Sequence, residues 1–259
     1  MSEAVVLIDK QEGIATVTLN RPDKLNALNR ELRLAFCHAM QALRADPEVR
    51  AVIITGAGRA FCVGLDLREL GTGKSGIRDE GNATFVTVIE DMEVPVIAAV
   101  NGFAITGGFE LALACDMMIA AEEAQFADTH ARVGVMPGGG MSARLPRAVG
   151  IRKAKELSLT GNYLPAREAE RMGLVNRVVA KEQLLTAARE LAQQIAGANQ
   201  KIVRQMKRLY DLTTRTTLED ALRIEQDSFR DFNRQANLGE LEQARESVMA
   251  RGRTQAAKK

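Results

Sequence analysis

Asn101-Gly102-Phe103-Ala104-Ile105-Thr106-Gly107-Gly108-Phe109-Glu110 stands between two apolar runs, Val96 to Val100 before it and Leu111 to Cys115 after it. The pattern predicts a strand, a glycine-rich turn and a helix that carries a carboxylate one turn inside its start. Pro95 suits the first position of the strand, where a missing N–H costs little. Gly107 and Gly108 lack the Cβ that would keep another group off the backbone. The first N–H groups of a helix have no intrahelical acceptor and face whatever sits at its mouth. An acyl oxygen that gains negative charge during a reaction is one such guest. Glu110, three residues after Gly107, stands at the same mouth. It reads either as an acid or base, or as a carboxylate that only complements the helix dipole.

A partner lies upstream. Ala51-Val52-Ile53-Ile54-Thr55 predicts a second strand, and it leads into Gly56-Ala57-Gly58-Arg59-Ala60-Phe61-Cys62-Val63-Gly64-Leu65-Asp66-Leu67. Two N–H donors from two separate turns are what an oxyanion hole requires. Taken singly, Gly64 and Gly107 are equally well explained as residues that permit tight turns. The series continues through Leu19-Asn20-Arg21-Pro22-Asp23-Lys24-Leu25-Asn26-Ala27-Leu28, Gln125-Phe126 and Gly134-Val135-Met136-Pro137-Gly138-Gly139-Gly140. Leu159-Thr160-Gly161 and the run from Ala169 to Val179 complete it. In order and spacing these segments resemble the crotonase, or enoyl-CoA hydratase/isomerase, superfamily, from about residue 5 to the C-terminal helices.

The 259 residues suit one large domain, or one domain with a smaller appendage. Hydrophobic content of 46% and charged content of 26% are ordinary for a globular protein. A net charge of +2, no dense basic tract with interleaved aromatics and no tryptophan leave a nucleic-acid partner without support. The basic end from Arg251 to Lys259 reads as a solvated tail. Cys37, Cys62 and Cys115 are odd in number and form no CxxC pair, so a reducing, cytoplasmic compartment is expected and a metal site is not. The start of the chain lacks a basic segment followed by a long apolar one, so no secretory signal is expected. No run approaches the roughly 18 apolar residues of a membrane helix, so no membrane partner is expected either.

Val5 to Ile8 and Ile14 to Leu19 predict a strand pair around Gln11-Glu12-Gly13. Asn29 to Leu43 predicts a helix with Leu32, Phe36, Met40 and Leu43 on one side. Strands that alternate with helices argue for an α/β core with parallel strands. Gly71 to Asn82, rich in glycine and charge, predicts a surface loop covering the acyl pocket. From Glu182 onward the pattern is nearly all helical. Two domains follow: a core at 1–195 with the CoA and acyl site, and a C-terminal helical region at 196–259. The resemblance implies more than periodicity does, namely a crotonase-like spiral of ββα repeats. The helices after it would assemble a homo-oligomer, a trimer or a hexamer.

The resemblance also implies a chemistry. In that superfamily a CoA thioester lies with its carbonyl oxygen between two backbone N–H groups. Those donors match Leu65, which follows Gly64, and Gly107, and together they stabilise an enolate-like oxyanion. Glu110 matches the first of two hydratase glutamates, the one that handles the water. Aligned on Gln125-Phe126 and on Gly134, the position of the second glutamate is held by His130. An imidazole accepts or donates a proton near neutral pH but differs from glutamate in shape and charge. His130 therefore retunes a hydratase, serves another reaction on an enolate, or only holds a loop or Glu110 in place. Asp128, two residues off register, is a lesser candidate. His38, the other of the two histidines, reads as structural.

Thr106 replaces a glycine that many relatives carry, and Phe109 is expected to line the pocket near Glu110. Gly138-Gly139-Gly140-Met141-Ser142 departs from the family's Gly-Gly-Thr-Gln pattern and leaves acyl-chain preference open. For CoA, the matched contacts are Lys24, Asn26 and Ala27 in one loop and Asp66, Leu67 and Arg68 in another, with Gly64 and Gly108, mainly through backbone. Lys24 and Arg68 read as phosphate or pantetheine partners or as solvated surface charges, and Asp66 as a cap of the segment after it. No cofactor is implied beyond the acyl-CoA substrate itself. The expected function is hydration of a 2-enoyl-CoA to a 3-hydroxyacyl-CoA. The alternatives are an isomerase, decarboxylase or thioester hydrolase of the same superfamily, or an acyl-CoA-binding protein without turnover.

Overall fold

Glu12 and Gly13 adopt positive φ of 53° and 78°, the conformation that two-residue hairpin loops need. They fold β1 (Val6–Gln11) back onto β2 (Ile14–Leu19) as an antiparallel pair in which Gln11 faces Ile14. The computed structural model describes residues 4–71, 84–234, 245, 248–253 and 256. Of the loop predicted at Gly71 to Asn82, all but the first residue lies outside the described residues. Asn29 caps α1 (Arg30–Ala45) by accepting the Leu32 N–H at 2.9 Å. Leu32, Phe36, Met40 and Leu43 are buried on its inner face, as their spacing predicts.

Beyond α1 the chain repeats one pattern: a long strand, a three-residue strand and a helical segment. First come β3 (Ala51–Gly56), β4 (Ala60–Cys62) and the short helices α2 (Leu67–Gly71) and α3 (Thr87–Glu90). Next come β5 (Val96–Val100), β6 (Phe103–Ile105) and α4 (Gly107–Ala114). The third unit is β7 (Met117–Ala121), β8 (Gln125–Ala127) and α5 (His130–Val133). After it follow α6 (Met141–Val149), α7 (Ile151–Thr160), β9 (Leu164–Pro165), α8 (Ala166–Arg171) and β10 (Arg177–Val179). Three longer helices end the pattern: α9 (Leu184–Ala196), α10 (Gln200–Thr213) and α11 (Leu218–Asn233).

The long strands form one sheet in the order β1-β2-β3-β5-β7-β10, parallel from β2 onward. The short strands form a second sheet in the order β4-β6-β8-β9, parallel except for β9. Each unit thus places one strand in each sheet before its helix, which is the spiral of ββα repeats that the resemblance implies.

Side chains along the long strands alternate between two cores. Val52 and Ile54, Val96 and Ala98, and Met118 and Ala120 face the larger core. Ile53, Ile97, Ala99, Ile119 and Ala121 face a smaller one, closed by Leu184, Ala187, Ala188, Ala192 and Ala196 of α9. With both faces covered, these strands have no polar side to show, which is why they read as unbroken apolar runs. Full burial of each larger side chain stabilises the fold by roughly 1.5–3 kcal/mol.

The chain divides into two compact units, Met1–Lys207 and Arg208–Lys259. The composition-based division at 195/196 falls at the end of α9. In the second unit, Thr217 caps α11 by accepting the Asp220 N–H at 3.2 Å. The same helix leaves Leu218, Leu222 and Phe229 exposed.

Candidate active site

β4 and β6 are neighbours in the small sheet, and each runs directly into a glycine turn. Pairing two three-residue strands therefore brings the two turns together. Gly64 has φ of 85°, and a Cβ there would lie 3.0 Å from the Gly107 nitrogen and 3.1 Å from the Ile105 oxygen. A Cβ on Gly107 would lie 3.3 Å from the Gly64 Cα. Gly108 is closer still to its neighbour: a Cβ would lie 1.9 Å from the Cys62 carbonyl oxygen, so α4 seats on β4 only with glycine at that position.

The donors can be traced from the backbone pattern. Gly107 is the first residue of α4, so its N–H has no acceptor within the helix. Leu65 bridges Leu28 in parallel: the Leu28 N–H donates to the Gly64 carbonyl at 2.8 Å, and the Asp66 N–H donates to the Leu28 carbonyl at 3.3 Å. Those bonds use the groups flanking Leu65 and leave its own N–H on the opposite edge. Thr106, just before Gly107, sits at φ 52° and ψ −112°, a region that β-branched residues rarely enter. Its N–H donates to the Ala127 carbonyl at 2.8 Å, and its hydroxyl shares a 2.5 Å hydrogen bond with that of Thr129. The Gly107 turn is thereby tied to the segment that carries His130.

Glu110 lies one turn into α4 and is only 3% exposed. Its Oε1 accepts the N–H groups of Gly139 at 2.8 Å and Met141 at 3.2 Å. With one oxygen held, the other faces His130: Oε2 is 3.8 Å from Nε2. That gap is too long for a direct hydrogen bond and short enough for one water to bond to both atoms. The other ring nitrogen, Nδ1, lies 2.6 Å from Asp128 Oδ1, which also accepts the His130 N–H at 3.2 Å. The Ser158 hydroxyl on α7 bonds to the same carboxylate. Burial pushes the Asp128 carboxyl upward, but the bonds from His130 and Ser158 outweigh it and hold its pKa below the ordinary value.

Glu110 and His130, on the helices of two successive repeats, are thus brought face to face, and Asp128 joins them. Its signal in the sequence is the Asp-x-His spacing directly after a short strand, which lets the carboxylate fold back on the ring. The backbone donors at Gly139 and Met141 left no side-chain signal. Their trace is a glycine: a Cβ on Gly139 would lie 2.8 Å from Glu110 Cδ. Phe109 departs from its expected place beside the pocket. It is fully buried, with its ring 5.3 Å from that of Phe126, because the residue before Glu110 on the helix faces the core. His38 is exposed on α1.

The expected CoA loops are held by their own side chains. Leu25 and Asn26 both take left-handed φ, 52° and 57°. Asn26 is fully buried: Nδ2 donates to the Ala57 and Ala60 carbonyls at 3.0 and 2.8 Å, and Oδ1 accepts the Arg21 N–H at 2.8 Å. Its backbone N–H donates to the Arg21 carbonyl at 3.0 Å. Arg21 donates to the Ala27 carbonyl and pairs with Asp66 at 3.3 Å. Asp66 Oδ1 accepts the Arg68 N–H at 3.2 Å, as a cap would. Lys24, Leu67 and Arg68 are exposed, whereas Ala27, Gly64 and Gly108 are buried. Among the described residues, no cluster of three or more His, Cys, Asp or Glu side chains could hold a metal ion, and no helix is long and apolar enough to cross a membrane.

The family model described as enoyl-CoA hydratase/isomerase matches residues 9–248. The chain is 40% identical to a protein of Arabidopsis thaliana named "Probable enoyl-CoA hydratase 1, peroxisomal" over 88% of this chain and 86% of that one. It is also 40% identical to the crotonyl-CoA hydratase of Syntrophomonas wolfei over 86% of this chain and 88% of that one. Among solved structures, the enoyl-CoA hydratase of Bacillus anthracis superposes with a TM-score of 0.87 at 33% identity, over 94% of this chain and 96% of that one.

Proposed function

The chain belongs to the enoyl-CoA hydratase/isomerase family, and on that premise we propose that it adds water across the double bond of a 2-enoyl-CoA to give a 3-hydroxyacyl-CoA. The observation that carries this reading is the Glu110 Oε2 to His130 Nε2 separation of 3.8 Å, three residues along the helix from the free N–H of Gly107. The thioester carbonyl lies between the N–H groups of Leu65 and Gly107, each worth a few kcal/mol to the transition state. Glu110 takes a proton from the water as its oxygen bonds to C3. The electrons of the double bond move to the thioester oxygen, and the resulting enolate takes a proton at C2 from His130 Nε2. Glu110 then returns its proton to Nε2, so the net change is one added water. The CoA moiety is met by the backbone at Asn26, Ala27 and the Gly64 to Arg68 stretch, with Lys24 and Arg68 toward its phosphates. No further cofactor enters the scheme.

The same proposal assigns the CoA and acyl site to 1–195 and assembly of a homotrimer or hexamer to 196–259. The apolar side chains Leu218, Leu222 and Phe229, each more than half exposed on α11, support the assembly. A reducing, cytoplasmic location is supported by Cys37, Cys62 and Cys115, none of which is joined in a disulfide.

Loss of enoyl-thioester absorbance on short- and long-chain 2-enoyl-CoA tests the reaction. Glu110→Gln is expected to lower kcat by about 10²-fold or more while leaving CoA-ester binding intact. Unchanged turnover in that variant would remove Glu110 from the mechanism. Binding without turnover in the unaltered protein would overturn the hydratase reading.

A further inference from the structure

Asp128 is buried and sits two residues before His130. An imidazole has two nitrogens, and only one of them faces Glu110. Left uncommitted, the ring exchanges its proton between them and loses the tautomer that the reaction needs. Here Nδ1 is committed: it lies 2.6 Å from Asp128 Oδ1, while the carboxylate is itself fixed by the His130 N–H and the Ser158 hydroxyl. A carboxylate in that place is an acceptor, so the proton of this bond belongs to Nδ1.

We propose that Asp128 is a positioning residue: it keeps a proton on His130 Nδ1, so that Nε2 alone faces Glu110 and carries every proton that the imidazole transfers. This rests on the hydratase reading. In the hydration cycle, the Nε2–H bond breaks as the C2–H bond forms, and the ring returns to neutrality with its remaining proton on Nδ1. Glu110 then re-protonates Nε2. At no point does Asp128 gain the proton. Its charge stabilises the imidazolium and fixes the plane of the ring. The corresponding carboxylate of Ser-His-Asp triads acts in the same sense, and its loss there costs on the order of 10⁴-fold in kcat.

The test is a double-mutant cycle joined to a spectroscopic measurement that needs no substrate. Asp128→Asn is expected to lower kcat by about 10²-fold or more, with KM within about threefold. In a His130→Gln background the same change is expected to cost less than about twofold, because a group acting through His130 has nothing left to act on. Losses that multiply, or a rise in KM with kcat unchanged, would overturn the proposal. The chain has two histidines, so the imidazole signals of 15N-histidine-labelled protein are few, and His38→Gln assigns them. His130 should show a protonated Nδ1 with a far-downfield proton that moves upfield in Asp128→Asn. An identical signal in both proteins would also overturn it. A shift without turnover on any 2-enoyl-CoA would instead reject the hydratase reading and leave the Asp128–His130 bond standing.

Discussion

One methyl group at residue 139 tests whether Glu110 must stand where it does. A Cβ added to Gly139 would lie 2.8 Å from both Cδ and Oε2 of Glu110 and 3.0 Å from its Cβ. Those distances are well inside van der Waals contact, and the two residues cannot separate without stretching the 2.8 Å bond from the Gly139 N–H to Oε1. Glu110 is 3% exposed, so a displaced carboxylate has little water to turn to. A hydrogen bond to a charged group is worth about 1.5–3 kcal/mol, and losing one while weakening the Met141 bond comes to about 3–4 kcal/mol. At 1.4 kcal/mol per tenfold, kcat for Gly139→Ala should fall by about 10²–10³-fold. The neighbouring Gly138→Ala is the control, because a Cβ there meets nothing within 4 Å. Its kcat should stay within about threefold of the unaltered protein. The assay is loss of enoyl-thioester absorbance at saturating substrate, with thermal unfolding run alongside. A Gly139→Ala protein as active as Gly138→Ala would show that the fixed position of Glu110 is irrelevant to turnover.

Other perturbations follow from the same geometry. Asn26→Ala removes three hydrogen bonds, one buried and two part-buried, and should lower stability by about 3–5 kcal/mol in urea denaturation; a loss below about 1 kcal/mol would show that water replaces the amide. Asp128 has a depressed pKa in the folded state, so its contribution to stability is complete above its unfolded value and is lost as pH falls through the folded one. The stability gap between the unaltered protein and Asp128→Asn should therefore narrow below about pH 4, and a gap that widens there would contradict the bonding described. His130→Glu would set a third carboxylate beside Asp128 and Glu110, a repulsion of about 4 kcal/mol for charges 4 Å apart at an effective dielectric constant of 20. Its turnover should collapse and recover by about tenfold when Asp128→Asn is added; full activity in the single variant would refute the charge argument.

Some of this architecture was legible before any coordinates. The long strands were visible because burial on both faces leaves an unbroken apolar run, and α1 because its inner face repeats at helical spacing. β4, β6 and β8 were not, since three residues carry no measurable period, and β4 and β6 lie inside what reads as glycine turns. Their pairing is nevertheless what brings Gly64 against Gly107. α9 reads as the start of a helical tail, yet its alanines close the outer face of the large sheet, which alanine spacing alone does not announce. At the site, Glu110 and His130 stood out as ionisable side chains at matched positions. Asp128 lies two residues off the matched register, and register alone hides its reach. A side chain two residues upstream of a helix start readily folds back on the first residue of that helix, and this one does.

The histidine at residue 130, where the resemblance implies a glutamate, is not a local change once charge is counted. A two-glutamate site that holds one mobile proton carries a net charge of −1. Replacing one glutamate by an imidazolium alone would bring that charge to zero and leave the ring free to present either nitrogen. Asp128 supplies a second carboxylate 2.6 Å from Nδ1. The trio of Glu110, Asp128 and a protonated His130 again carries −1, with the mobile proton on the atom that faces Glu110. On the proposed assignment, the site therefore keeps the charge of a two-carboxylate hydratase while moving its proton from an oxygen to a nitrogen. Holding that charge equal matters because each charge added to or taken from the site shifts the proton affinity of the groups beside it. It also explains why the two side chains belong together. An imidazole at 130 without Asp128 has no acceptor to commit Nδ1, and Asp128 beside a glutamate at 130 adds a repulsion that nothing in the site relieves.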